Sequence, residues 1–437
     1  MMTNTRSLKL LFKKPLAVIP ALLSATVVLF SSPGSAASGI ITQLGEDING
    51  EVAQEAAGWS VSISGDGTIV AFGSPFLNDS GKSQVGEVNI YKWDGSSWSQ
   101  LGSPITGTVE NSQMGRSISL SSDGTAVALG SPARAEDNNA LSRGSTRIYK
   151  WDGGAWAPRG PAIIGEANND HSGSAVSLNS DGTRVAIGAD SNGGSGSRSG
   201  HTRIYEWNGT DAWVQMGSDI DGEAAGDLSG TSVSMSLDGN RVAIGAYNND
   251  GGGTSSGHTR IYEWNGTDTW VQMGSDIDGE NEFYSSGWSV SLNSDGTHVA
   301  IGAPNNSKVG SDSGQTRIYR WNGTAWIQVG DDIDGKAAGE FSGGSVSLNS
   351  DGTRVAIGPD GAIASTEPGY TRVYEFNGTV WEQIGLDIDG KAPGDDSGIS
   401  VSLDADGTVV AIGASNHNPG GAFGAGQVRV FTFACTP

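Results

Sequence analysis

The sequence predicts an all-β fold: a seven-bladed β-propeller of four-stranded blades, with the first strand of the mature chain completing the last blade. Three observations lead there. First, one unit recurs seven times along the 437 residues. It is plainest where GSAVSLNSDGTRVAIGA (173–189) runs on to GHTRIYEWNGTDAWVQMGSDIDGE (200–223), and both return nearly unchanged at 230–246 and 257–280. The Asp-Gly at its centre falls at Asp66, Asp123, Asp181, Asp238, Asp295, Asp351 and Asp406, spaced by 55 to 58 residues. Self-similarity at a period of this size marks a solenoid, propeller or array. Second, each unit holds four short stretches of strand character and no sustained helical periodicity. Third, the seventh copy lacks its fourth strand, and residues near the N-terminus supply one.

The chain begins with a basic segment (Arg6, Lys9, Lys13, Lys14), an apolar run from Pro15 to Phe30, and small residues ending at Ala36-Ala37. This reads as a secretory signal peptide over 1–37, with cleavage near Ala36 or Ala37. The apolar run is short for a membrane span and contains Pro15 and Pro20. Within each unit the first strand alternates Val and Leu with Ser, as at Val176 and Leu178. Asp-Gly then signals a tight hairpin with positive φ angles. The second strand, RVAIGA, sets Val185 and Ile187 against Ala186 and Gly188 on its other face. TRIYEW is the third strand and WVQMGSDI the fourth, joined at a second turn signal, Asn208-Gly209 in the third unit. Large side chains on one face and Ser, Ala and Gly on the other suit radial stacking of twisted sheets.

Closure follows from the chain ends. The seventh unit stops after GQVRVFTFACTP, which matches a third strand. GIITQLGEDINGE (39–51) matches the fourth: Gln43 with Gln215, Leu44 with Met216, Ile48 with Ile220. Residues 40–48 are therefore the expected closing strand of blade seven, within one domain over 38–437. A ring locked in this way hides both sheet edges, which an open spiral does not, and a monomer is expected.

With 48 acids against 25 Lys and Arg, the formal charge is −23, and the leader removes four cations and no acid. Such a surface excludes nucleic acid, whose phosphates need Lys and Arg. Cys435 is the single cysteine, so no internal disulfide forms and the core must hold the fold.

The unit GxSVSLNSDGTxVAIGAP…GxTRIYEWNG resembles the FG-GAP repeats that build the seven-bladed propeller of integrin α subunits, over all seven copies. The resemblance implies an extracellular protein-interaction or adhesion module. Several integrin repeats hold Ca²⁺ in an Asp-x-Asp/Asn-x-Asp-Gly-x-x-Asp loop. Here that frame reads Ser177-Leu178-Asn179-Ser180-Asp181-Gly182-Thr183-Arg184-Val185: the third and fifth positions keep oxygen ligands, but the first carboxylate has become Ser and the ninth Val. Calcium takes six to eight oxygens. Asp404-Ala405-Asp406-Gly407 comes nearest and still ends in Val410. No cofactor is expected, and the five His and one Cys show no metal-ligand spacing along the chain.

Antiparallel order puts both hairpins of every blade on one face of the ring and the longer connections on the other. The long-loop face is the binding candidate. Its fourth-to-first loops repeat an acid at Glu51, Glu166, Glu223 and Glu280, exchanged for Lys336 and Lys391 in blades five and six. Positions that break the repeat are more telling. The residue after the glycine that opens each innermost strand is Trp59, Arg116, Ser174, Thr231, Trp288, Gly344 and Ile399 in turn. Trp59 and Trp288, with Arg116 beside the first, suit stacking on a sugar or clamping a peptide; packing of Trp59 between blades beside Val61 and Ile63 is the plain alternative. The ligand-binding candidates are therefore Trp59, Arg116, Trp288, Glu223 and Glu280, with an extracellular protein or a glycan as partner. A propeller hydrolase or lyase would need a singled-out acid pair, and none stands out. Blade two departs most, with an insert at 133–144. The Asn-Gly-Thr turns at Asn208, Asn265, Asn322 and Asn377 fit the N-glycosylation sequon, yet a hairpin already demands Asn-Gly.

Overall fold

Blade three shows how the repeat becomes a sheet. Its innermost strand, Ala175–Leu178, pairs antiparallel with Arg184–Ala189, which pairs with His201–Trp207. The outer strand comes in two pieces, Trp213–Gln215 and Ile220–Asp221, both on the third strand. The computed structural model describes residues 40–134, 142–361 and 367–434, and seven such sheets make up a seven-bladed propeller. The expected leader, Cys435 and the centre of the blade-two insert lie outside the described residues.

The break in the outer strand was not foreseen in WVQMGSDI. Gly217 turns left-handed there (φ 73°), and an added Cβ would meet the Trp264 ring of the next blade at 3.0 Å. The bulge turns the Met216 carbonyl outward, where it accepts the Trp270 indole N–H at 2.9 Å. Equivalent indole bonds join Trp98 to Leu44, Trp156 to Leu101, Trp213 to Arg159, Trp326 to Met273 and Trp381 to Val329. The tryptophan that opens each outer strand is thus an inter-blade fastener.

The first hairpin also departs from expectation. Its glycines are left-handed, as at Gly182 (φ 66°), but its aspartates are not. The turn is a four-residue connection, closed in blade three by Asn179 N–H to Arg184 O and Gly182 N–H to Asn179 O, of the kind built on a type I turn. The aspartate carboxylate accepts from its own turn, Asp181 from Thr183 N–H and Oγ1. The extra length has a use. The residue before each aspartate donates its N–H to the same residue of the next blade: Gly65 to Ser122, Ser122 to Ser180, Ser180 to Leu237, Leu237 to Ser294, Ser294 to Ser350, Ser350 to Ala405, and Ala405 back to Gly65.

A second closed circuit runs along the innermost strands. Ser177 Oγ accepts the Met235 N–H at 3.0 Å, and the six equivalent serines do the same, the last being Ser402 with Ile63 N–H. Ile63, Leu120, Leu178, Met235, Leu292, Leu348 and Leu403 form an apolar girdle at the hairpin end of the channel, around a cavity of about 130 Å³. Blade seven consists of Ser397–Leu403, Val409–Ala414, Gln427–Ala434 and the N-terminal Ile40–Gln43 and Ile48–Asn49. Ile40 sits opposite Ala434, and Ile48 opposite Val428.

The core lies between blades. Met235, Val242, Ile244 and Tyr262 of blade four pack on Ala186 and Ile204 of blade three. At the seam, Val61, Ile63, Val70 and Phe72 pack on Ile48, Ala411, Val428 and Val430. Gly188 has ordinary backbone angles, yet a Cβ there would lie 2.0 Å from the Gly230 carbonyl. Its hydrogen side chain is required by the neighbouring blade rather than by a turn.

Candidate functional site

The long-loop face carries two kinds of site: the channel mouth and the cleft between neighbouring blades. At the mouth each blade enters its innermost strand through one repeated turn. In blade one, Trp59 N–H donates to Ala56 O at 3.1 Å, with Ala56 left-handed. The equivalents of Ala56 are Gln113, His171, Leu228, Ser285, Phe341 and Asp396, and all seven hold φ between 49° and 59°. Left-handed backbone costs a non-glycine residue roughly 1–2 kcal/mol. Glycine would relieve it, and none of the seven positions carries glycine.

The three mouth residues singled out in the sequence fall into two groups. Arg116 stacks its guanidinium on the Trp59 ring, 4.4 Å from the centroid, and Phe76 meets the same indole edge-on at 5.3 Å. Trp59 is partly exposed and lies outside the apolar cluster that holds Val61 and Ile63, and its contact with Arg116 joins blades one and two. Trp288, four blades on, lies against Tyr247 at 4.7 Å. Sequence reasoning missed both Phe76 and Tyr247, which lie in second-to-third connections that do not repeat.

Acids complete the mouth. Burial lowers the Arg116 pKa, against the attraction of Asp190. Burial raises Asp360, and it carries Asp396 up to about 6, with Asp395 and Asp360 adding repulsion. Asp395 is itself buried and bonds His417 at 2.9 Å.

In the clefts, the repeated arginine of the third strand reaches back into the preceding blade. Arg203 Nη2 donates to Ile164 O, Arg260 to Asp221 O, Arg317 to Asp278 O and Arg429 to Asp389 O. These arginines are structural. The two acidic candidates lie beside them: Glu223 is 3.8 Å from Arg260 and Glu280 is 3.9 Å from Arg317. Glu223 also belongs to a cluster with His258 and Asp276, and one blade earlier Glu166, His201 and Asp219 form its twin. Within each cluster the ligand-type atoms lie within 4.8 Å of one another. Glu280 has no imidazole beside it, because Gln315 replaces the histidine. Burial, with Arg203 and Arg260 adding repulsion, lowers the pKa of both imidazoles against the attraction of the nearby acids. Spacing along the chain hides these groups, since each draws its glutamate from one blade and its histidine and aspartate from the next. The signal available was the position itself, which reads Glu87, Ser145, His201, His258, Gln315, Tyr370 and Gln427 around the ring.

No protein-family model matches this chain, and no curated protein matches it. The fold and site define a seven-bladed β-propeller with a non-repeating mouth on its long-loop face. No helix among the described residues is long and apolar enough to cross a membrane.

Proposed function

We propose that the protein is a non-enzymatic, secreted binding module that engages an extracellular protein through the long-loop mouth, as its likeness to FG-GAP repeats implies. One observation carries this reading. Around a scaffold repeated closely enough to close two seven-membered hydrogen-bond circuits, the side chains diverge at the mouth, and seven of them sit on left-handed backbone. Four of the seven, Gln113, His171, Phe341 and Asp396, are partly exposed, and strain kept at such non-glycine residues points to side chains in use. Large apolar groups exposed on the same face, Phe283 and Phe423 among them, add contact area.

A glycan is the second reading, favoured by the partly exposed Trp288 on Tyr247. Trp59 serves it less well, because Arg116 already covers one face of that indole. Screening the purified chain on extracellular-protein and glycan arrays, beside a Trp59→Ala/Trp288→Ala variant of equal melting temperature, tests both. We expect protein ligands to lose at least about tenfold in affinity, roughly 1.4 kcal/mol. Unchanged binding by the variant removes the mouth as the site, and chemical turnover of a bound ligand removes the non-enzymatic reading.

A further inference from the structure

The inter-blade clefts form a series in which one acid position can be followed around the ring. It sits in the break of the outer strand and is Asp219, Asp276, Asp332, Asp387 and Asp47 in blades three to seven, but Pro104 and Ala162 in blades one and two. In three of the five acidic cases a lysine ammonium sits on the carboxylate. Lys308 Nζ lies 2.7 Å from Asp332 and 3.0 Å from Asp334. Lys336 Nζ lies 2.8 Å from Asp387, and Lys391 pairs with Asp47. The remaining two clefts keep the aspartate, add a glutamate where Lys336 and Lys391 would stand, and have no lysine on the carboxylates among the described residues. They have a histidine instead.

Those histidines are unusual. The His201 and His258 side chains are each 1% exposed, and neither ring nitrogen of either one has a hydrogen-bond partner among the described residues. A buried polar atom without a partner is costly and calls for an explanation. Each Nδ1 points at the acids: His201 Nδ1 is 3.5 Å from Asp219 Oδ2 and 4.0 Å from Asp221 Oδ1. His258 Nδ1 is 3.8 Å from both Glu223 Oε2 and Asp276 Oδ2. In a tetrahedral zinc site with bonds of about 2.0–2.1 Å, neighbouring ligand atoms stand roughly 3.3 Å apart, so small side-chain movements suffice. Arg260 approaches the opposite oxygen of Glu223, Oε1, and holds that carboxylate in place.

We propose that Glu166–His201–Asp219 and Glu223–His258–Asp276 each bind a divalent transition-metal ion of the zinc type, which takes the place that lysine fills in blades five to seven. One imidazole and two carboxylates from the protein leave a fourth position open to water or to Asp221 and its equivalent Asp278. Imidazole selects zinc-like ions over calcium or magnesium, which prefer oxygen alone. Each ion would fasten two blades. The sites lie on the face opposite the Asp-Gly hairpins, so they are distinct from the calcium loops of FG-GAP repeats.

Isothermal titration of the chelator-stripped chain with zinc chloride tests the proposal. We expect two ions per chain, one in His201→Gln or His258→Gln, and none in the double variant. Glutamine is the residue blade five carries at this position, so the variants should fold, and circular dichroism checks that they do. Cobalt(II) should give visible absorption of tetrahedral type that each substitution halves. Absence of saturable zinc binding, a stoichiometry indifferent to the two histidines, or equal binding of calcium chloride would overturn the proposal.

Discussion

Asp396 illustrates what a single side chain does at the mouth. It is left-handed (φ 56°), accepts a hydrogen bond from Asn416, and is partly buried beside Asp395 and Asp360. Its folded pKa of about 6 lies above the ordinary 3.8. The folded state therefore favours the protonated acid, and that contribution is complete below pH 3.8 and lost as pH rises through 6. Asparagine tolerates left-handed backbone and can still accept from Asn416. Asp396→Asn should thus match the wild type near pH 4 and gain on it by pH 7, by ~1 kcal/mol once partial exposure is allowed for. Urea midpoints at four pH values decide this, and a gap independent of pH would show the carboxylate to be solvated. The sequence singled out Ile399, three residues on, but not Asp396, because its shift comes from the folding of three separate loops around it.

Strands and turns were the most legible features. Alternation placed the inner three strands of every blade, since a sheet buried on both sides still sorts large from small side chains. The outer strand and first hairpin were misread for one reason: both bend to bond a neighbouring blade, and a turn signal in one chain segment does not show its neighbour. The second strand makes the same point through glycine. Gly188→Ala should destabilise by about 3 kcal/mol or prevent folding, because the methyl group meets the Gly230 backbone. Ser177→Ala should cost only about 1 kcal/mol, the worth of one hydrogen bond to the Met235 N–H. Chemical denaturation of the two variants orders them, and an equal cost would mean that the blades can move apart.

Ring closure draws on contacts from the whole chain. Ile40–Gln43 covers the outer edge of the last blade, and Ile48 enters the core between blades seven and one. Deleting residues 38–50 uncovers the strand Gln427–Ala434 and removes the Leu44 carbonyl that receives the Trp98 indole. An exposed strand edge recruits other chains. We expect a lower melting temperature and self-association by light scattering; a monomer with unchanged melting would show that the ring closes without this strand.

Repetition made the architecture readable from residues alone. Seven copies of one hydrophobic pattern allow few ways to bury every sheet face, and a displaced strand names the way the ends meet. The pairing of sites needed the folded chain. Stacking of Arg116 on Trp59 and the joining of Glu223 to His258 and Asp276 both cross from one blade to the next. Contacts 35 to 57 residues apart leave no local pattern; they are set by how closely one twisted sheet lies against another, which depends on the packing of every blade at once.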